Sequence, residues 1–98
     1  MPGVLAGIKG FDWDDGNSHK NEPKHGVTER EAEEVFFNEP LNVTRSPKGG
    51  SETRYAAIGK TYGSRLLTVI FTLRANKIRV ISARPMSRTE RKLYEEEN

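Results

Sequence analysis

Three β-prone runs in quick succession constrain the fold of this chain more than any other feature. They cover residues 54–61, 66–73 and 77–83, and the two connections between them are only four and three residues long. Parallel strands need a crossover of about a dozen residues, whereas antiparallel strands can be joined by tight turns. The middle run, LLTVIFTL, is largely apolar on both faces and predicts a central strand. The pattern therefore predicts an antiparallel meander.

Two capping boxes predict helices on either side of the meander. In a capping box, Ser or Thr and a Glu three residues later each bond the other's backbone N–H. Thr28 and Glu31 open an amphipathic helix that Pro40 ends, and Ser87 and Glu90 open a C-terminal helix that continues to about residue 96.

The remaining segments complete an α+β order. Residues 8–13 alternate apolar and polar side chains and predict a first strand. Residues 14–26 favour turns with a short helix, which Pro23 limits because proline lacks the N–H of an interior helical residue. Residues 41–45 predict a strand, and SPKGGSET at 46–53 a loop.

Length and composition favour a single domain covering residues 1–98. The chain contains no cysteine, so it has neither disulfides nor thiolate metal sites. No apolar run approaches the roughly 20 residues of a membrane span. These features predict a soluble cytoplasmic protein without membrane partners.

Charge is distributed very unevenly. Residues 1–44 carry four Lys or Arg and nine Asp or Glu, whereas residues 45–92 carry twelve and two, respectively. Such a basic segment favours an anionic partner more than the net charge of +2 suggests. The alternative is a solvated surface with uneven charge.

Arginines gather around the start of the C-terminal helix. Arg84 precedes it, and Arg88 and Arg91 lie in its first turns, where the helix dipole disfavours cations. Guanidinium groups and helix-start N–H groups together form a phosphate receptor. In the alternative interpretation, Arg88 and Arg91 pair with nearby acids such as Glu90.

The strands supply further basic candidates. Strict alternation along the last strand places Lys77, Arg79, Ile81 and Ala83 on one face and Ile78, Val80 and Ser82 on the other. Arg54 and Lys60 share a face of their own strand. If the faces coincide, Arg54, Lys60 and Arg79 form a basic floor that leads to Arg84 and Arg91.

Lys24 and His25 form the second candidate site. Histidine ordinarily titrates near pH 6.5, which suits proton transfer at neutral pH. A structural interpretation competes, because His followed by Gly26 is also a common helix ending. No metal site is predicted, since two histidines without cysteine form no zinc set and Asp12, Asp14 and Asp15 lack the spacing of a calcium loop.

Four motifs, taken in order and spacing, resemble the BrnT family of toxins from about residue 8 to residue 97. They are FDWD at 11–14, the NEPKHGV stretch with Asn21, Lys24 and His25, Glu52 with Arg54, and ISARPMSRTER at 81–91 with Tyr94.

This resemblance implies a RelE-like endoribonuclease toxin of a type II toxin–antitoxin operon. It further implies a complex of two toxins with two BrnA-type antitoxins. The toxin would contact operator DNA only indirectly, through the antitoxin. The family's shared positions fall on Lys24, His25, Glu52, Arg54, Arg79, Arg84, Arg88 and Tyr94.

An endoribonuclease needs no metal or other cofactor if the substrate 2′-OH is the nucleophile, because the protein then supplies positioning, a proton acceptor and cations. Arg79, Arg84 and Arg88, with Arg54 as a further candidate, could stabilise the negative charge gained at phosphorus. His25 or Glu52 is the candidate base. The candidates for RNA or phosphate binding are Lys24, Arg54, Lys60, Arg88, Arg91 and Tyr94. Lys24 or Tyr94 could assist the general base. Tyr94 could instead stack on a nucleobase of the RNA. A non-catalytic nucleic-acid-binding module or an antitoxin-docking module would use the same surface.

Overall fold

The computed structural model describes residues 3–47 and 50–98, which form a four-stranded antiparallel sheet and three α-helices. The elements, after a short 3-10 helix at Gly3–Leu5, are α1 (Asn21–His25), α2 (Glu29–Phe37), β1 (Asn42–Ser46), β2 (Arg54–Lys60), β3 (Leu66–Arg74), β4 (Lys77–Pro85) and α3 (Arg88–Glu97). The strands are ordered β1-β2-β3-β4, which confirms the meander. Lys48 and Gly49, within the predicted loop, lie outside the described residues.

The helix ends follow the sequence signals. Both capping boxes form, with Thr28 bonding the N–H of Glu31 and Ser87 bonding the N–H of Glu90. Gly26 ends α1 in the left-handed conformation, at φ 68°, which glycine adopts without steric cost.

One face of the sheet packs against α2 and forms the core. Val35 and Phe36 of α2 meet Val69 and Phe71 of β3, with Phe36 and Phe71 ring centroids 5.2 Å apart. A Cβ on Gly59 would lie only 3.0 Å from Val35 Cγ1, so the close approach of β2 to α2 depends on glycine. This core fixes the sheet and leaves the opposite face for other contacts.

The predicted strand at residues 8–13 is wrong. This segment runs along the free edge of β4 and makes a single parallel bridge, between Phe11 and Ile78. Ile78 N–H donates to Gly10 O at 2.9 Å, and Ile78 O accepts from Asp12 N–H at 2.8 Å. An extended edge segment alternates its side chains as a strand does, so the pattern could not separate the two.

Two asparagine side chains form hydrogen bonds with further backbone groups along the β4 edge. Asn17 Nδ2 donates to Val80 O at 3.0 Å, and Asn21 Oδ1 accepts from Ala83 N–H at 3.1 Å. The segment from Gly10 to Asn21 therefore satisfies backbone groups that an open edge would present to other chains.

A β-bulge overturns the strict alternation predicted for β4. Phe71 pairs with Val80 and Ile70 with Ser82, so Ile81 has no partner on β3. The extra residue reverses the side-chain alternation beyond it. Ala83 consequently joins Ile78 and Val80 in the core instead of sharing a face with Arg79.

The C-terminal helix α3 packs on the face opposite α2. Its Tyr94 forms a second apolar cluster with Ile58, Met86 and Leu66. Thr68 Oγ1 donates to Glu90 of α3 at 2.9 Å. No helix in the described residues is long and apolar enough to cross a membrane.

Candidate nucleic-acid interface

The sheet face that α3 partly covers carries basic residues of β2 and β4. Side chains of directly paired residues lie on the same face. Arg79 pairs with Thr72 and Arg84 with Thr68, and Thr68 contacts α3. Ile58 of β2 also pairs with Thr68, so the alternating residues Arg54 and Lys60 share this face. The register thus places all four cations on one face.

Carboxylates of the N-terminal segment hold Arg79. Its two terminal nitrogens donate to Asp14 in a bidentate pair at 3.0 and 2.9 Å, and Nη1 lies 3.5 Å from Asp12 Oδ2. The Arg79 side chain is only 12% exposed. The hydrogen bond with Arg79 lowers the pKa of Asp14, and its counterpart raises the pKa of Arg79. The guanidinium is therefore fixed and neutralised.

Glu52 also forms a bidentate pair with an arginine. Arg74 Nε and Nη2 donate to its two oxygens at 3.0 and 3.2 Å. This hydrogen bonding holds the pKa of Glu52 below its usual value, which makes the carboxylate a weaker proton acceptor.

Arg54 differs from Arg74 and Arg79, because its buried Nε has no hydrogen-bond partner. Together Asp12, Asp14, Glu52, Arg54, Arg74 and Arg79 form what we call the Arg79 cluster.

A second cluster lies at the start of α3. Arg84 donates two hydrogen bonds to Glu90, at 2.6 and 2.9 Å. Glu90 also accepts from Thr68 Oγ1 and from the backbone N–H of Ser87. The bond with Arg84, supported by the others, lowers the pKa of Glu90 to about 2. Thr68, Arg84, Ser87 and Glu90 form what we call the Arg84 cluster, which ties α3 to the sheet.

The structure does not bring Arg79 and Arg84 to one point. Their partners on β3, Thr72 and Thr68, are four residues apart, which at about 3.3 Å per residue separates the two arginines by roughly 13 Å along the sheet. Each guanidinium is held by a different carboxylate, Asp14 in one case and Glu90 in the other. One phosphate group in reach of a hydrogen bond to Arg79 therefore cannot also contact Arg84 without rearrangement.

The C-terminal end of α1 and the N-terminal end of α3 both connect to the start of β3. Arg65 Nη1 donates to Gly26 O at 2.7 Å and pairs with Glu31. The next residue, Leu66, accepts a bond from Met86 N–H, one residue before the N-cap of α3. These contacts place the α1 end, with Lys24 and His25, and the α3 start, with Arg88 and Arg91, at the same end of the sheet. We call these two helix ends the helix corner.

The helix corner contains groups without a partner among the described residues. His25 is half-buried and makes no hydrogen bond there. Lys24, Arg88 and Arg91 are exposed, and none of them forms an ion pair with a described residue. The predicted alternative in which Arg88 and Arg91 pair with acids does not occur, since Glu90 is taken by Arg84.

Two further predicted binding residues lie near the start of β3. Tyr94 is only 5% exposed, and its hydroxyl donates to Pro40 O at 2.7 Å. Burial raises its pKa, and its ring presents no free face for stacking on a base. Lys60 ends β2 opposite Leu66, at the same end of the sheet as the helix corner, and is half-buried.

Sequence reasoning missed the partners of the arginines. Asp12 and Asp14 were considered only as metal ligands, whereas they neutralise Arg79. Arg65, which joins α1 to β3, was not singled out at all. The signal available was charge complementarity, because the acids of FDWDD face a basic half-chain.

Neither a metal cluster nor a deep cavity marks the site. The described residues contain no group of three or more His, Cys, Asp or Glu that could hold a metal ion. A depression of about 790 Å³ lies at the end of α2, near Phe37 and Pro40, and contains none of the predicted site residues. Glu52 and Arg54 line a smaller depression of about 430 Å³. The predicted residues thus occupy an open surface, as is common for strands of nucleic acid.

An antiparallel α+β domain with a basic face is the form expected of a small protein that acts on nucleic acid. A family model described as ribonuclease toxin, BrnT, of type II toxin–antitoxin system matches residues 13–90. The chain therefore belongs to the BrnT family of ribonuclease toxins, and its α+β architecture is consistent with a RelE-like toxin fold. A search of curated proteins found no match.

The Arg84 cluster predicts an acid-sensitive stability. A carboxylate whose pKa is lowered on folding stabilises the folded state above its unfolded pKa, and this contribution is lost as the pH falls through the folded pKa. Glu90→Gln should therefore be less stable than the wild type at neutral pH, and the difference should shrink between pH 4.5 and about 2. Urea unfolding at several pH values across this range measures the difference in the free energy of unfolding.

Glu95→Gln provides the control, since Glu95 is exposed on the same helix and has no partner among the described residues. It should match the wild type at every pH. A constant difference between Glu90→Gln and the wild type down to pH 2 would contradict the assignment.

Proposed function

We propose that this protein is a cytoplasmic endoribonuclease toxin that cleaves RNA through the substrate 2′-OH without a metal ion. The observation that carries the proposal is the helix corner, where His25 and Lys24 end α1 and Arg88 and Arg91 begin α3 at the same end of the sheet. None of the three cations has a carboxylate partner among the described residues. Helix N-termini and free cations favour phosphate binding.

The proposed reaction balances without a cofactor. His25 accepts the proton of the 2′-OH, whose oxygen attacks the adjacent phosphorus. The bond from phosphorus to the 5′-oxygen breaks, and that oxygen leaves with a proton supplied by the histidinium or by Lys24. The products are a 2′,3′-cyclic phosphate and a free 5′-OH. Cations at the corner stabilise the charge gained at phosphorus.

The other predicted residues receive supporting roles in this proposal. We assign Arg84 to positioning, because its bidentate bond with Glu90 fixes the start of α3, which carries Arg88 and Arg91. Arg79 and Arg54 would bind a flanking phosphate at the other end of the face. Glu52 is a weaker candidate base than His25, because Arg74 occupies both of its oxygens.

A non-catalytic role in binding nucleic acid or antitoxin is the second candidate. The observation that favours it is that both strand arginines proposed for catalysis, Arg79 and Arg84, already carry carboxylate partners. RNA binding without cleavage by the purified protein would support this alternative.

Replacement of His25 separates catalysis from binding. General acid–base groups typically contribute about 10²–10⁴-fold to rate. His25→Ala should lose about that factor in the rate of RNA cleavage while retaining wild-type circular dichroism and RNA affinity.

His19→Ala is the matched control, because the His19 side chain is 85% exposed on a different turn and contacts only Glu29. It should cleave at the wild-type rate. Equal rates for His25→Ala and the wild type would exclude His25 as the base.

Chemistry through the 2′-OH predicts metal-independent cleavage. Addition of EDTA should leave the rate unchanged, because no step of the proposed reaction requires a divalent ion. Mass spectrometry of the 5′ fragment should show a 2′,3′-cyclic phosphate or its hydrolysed form. Loss of activity in EDTA with recovery in magnesium, or a 5′-phosphate on the 3′ fragment, would refute the mechanism.

We further propose that a BrnA-type antitoxin neutralises this toxin in a complex of two copies of each chain and represses the operon through its own DNA-binding domain. Membership in a toxin–antitoxin family and the basic face support this partner. Co-expression with the product of the adjacent gene should give a stable complex of that mass by light scattering. Purification of the toxin alone from such cells would count against this partner.

A further inference from the structure

The carboxylate of Asp14 lies between Arg79 and the solvent. The Arg79 side chain is 12% exposed, whereas the side chain of its partner Asp14 is 58% exposed. Asp14 uses both oxygens on the two terminal nitrogens of the guanidinium, and Asp12 Oδ2 lies 3.5 Å from one of them. An anion approaching from solvent therefore meets Asp14 before it can contact Arg79.

The position of Asp14 is fixed by the turn that follows it. Asn17, which is buried, accepts from Asp14 N–H at 2.9 Å and donates to Val80 O on β4. Gly16 N–H donates to Asp14 Oδ1 at 2.7 Å. A Cβ on Gly16 would lie 2.7 Å from Arg79 Nη2, so the turn packs directly on the guanidinium.

An incompletely paired arginine lies on the same sheet face. Arg54 is on β2, and its buried Nε has no partner, while Glu52 interacts with Arg74, Arg54 and Arg79. The cluster thus combines one arginine that Asp14 occupies with one whose Nε donor has no partner.

We propose that Asp14 is a built-in competitor of the RNA backbone, which occupies Arg79 in the free toxin and must be displaced by a phosphate group when RNA binds. The inference deepens the proposed function and rests on it. Carboxylate and phosphate both take a guanidinium in the same bidentate geometry, so they compete for it directly. Because Asp14 is 58% exposed, water can solvate its carboxylate when a phosphate group takes its place on Arg79.

The test measures binding of a 2′-O-methyl RNA oligonucleotide, which lacks the nucleophile and is not cleaved. Asp14→Asn keeps the size of the side chain and removes its charge, and it should tighten binding about two- to fivefold. One more phosphate contact should also steepen the salt dependence of log K by about 0.7. Gly16→Ala, whose Cβ displaces the guanidinium from Asp14, should act in the same direction.

Asp15→Asn is the matched control, because it removes the same charge one residue away, from a side chain that makes no ion pair with any described residue. It should change affinity less than Asp14→Asn and leave the salt slope unchanged. In an Arg79→Ala background the gain from Asp14→Asn should disappear, since the competed cation is gone. Circular dichroism verifies folding of each variant.

Three outcomes would overturn the inference. If Asp14→Asn and Asp15→Asn raised RNA affinity equally, the change in net charge would explain the effect. Weaker binding by Asp14→Asn and Gly16→Ala would make Asp14 a support that holds Arg79 ready for RNA. A gain that persists without Arg79 would place the effect elsewhere. Cleavage of unmodified RNA by the wild type, assayed in parallel, tests the proposed function separately from all three.

Discussion

The β-bulge at Ile81 determines the arrangement of the basic face. Arg79 and Arg84 are five residues apart, so a regular strand would direct them to opposite sides of the sheet. The unpaired residue between them reverses the alternation, and both arginines emerge on the α3 side, while Ile78, Val80 and Ala83 all remain in the core. A single irregularity thus reconciles an apolar inner face with a basic outer face along one strand.

Pairing with carboxylates then divides the basic face into two regions. At one end, Asp12 and Asp14 from the β4 edge segment hold Arg79. At the other end, Glu90 serves at once as a helix cap and as the partner of Arg84. Among the described residues, Lys24, Arg88 and Arg91 at the helix corner form no ion pair, whereas Arg79 and Arg84 on the strand are both paired. Charge count alone would have favoured the strand arginines, which their carboxylate partners neutralise.

The sequence predicted the fold more completely than the site. Hairpin spacing and two capping boxes gave the strands from Arg54 onwards and both long helices to within a few residues, because these signals are local. The segment at residues 8–13 was misassigned because an extended edge segment and a strand share one alternation. The basic floor was predicted only conditionally, since the pairing of Arg54, Arg79 and Arg84 with their neighbours depends on register between distant residues.

By itself, the sequence determined which residues are available: a basic half-chain, an acidic N-terminal turn, two helix caps and membership in a family of ribonuclease toxins. Only the tertiary structure decided which of the charges are free. Ion pairs such as Arg79 with Asp14 join residues 65 positions apart, and hydrogen bonds need their atoms within about 3 Å. No local pattern encodes such a distance, because it results from the packing of the β4 edge segment against the whole sheet.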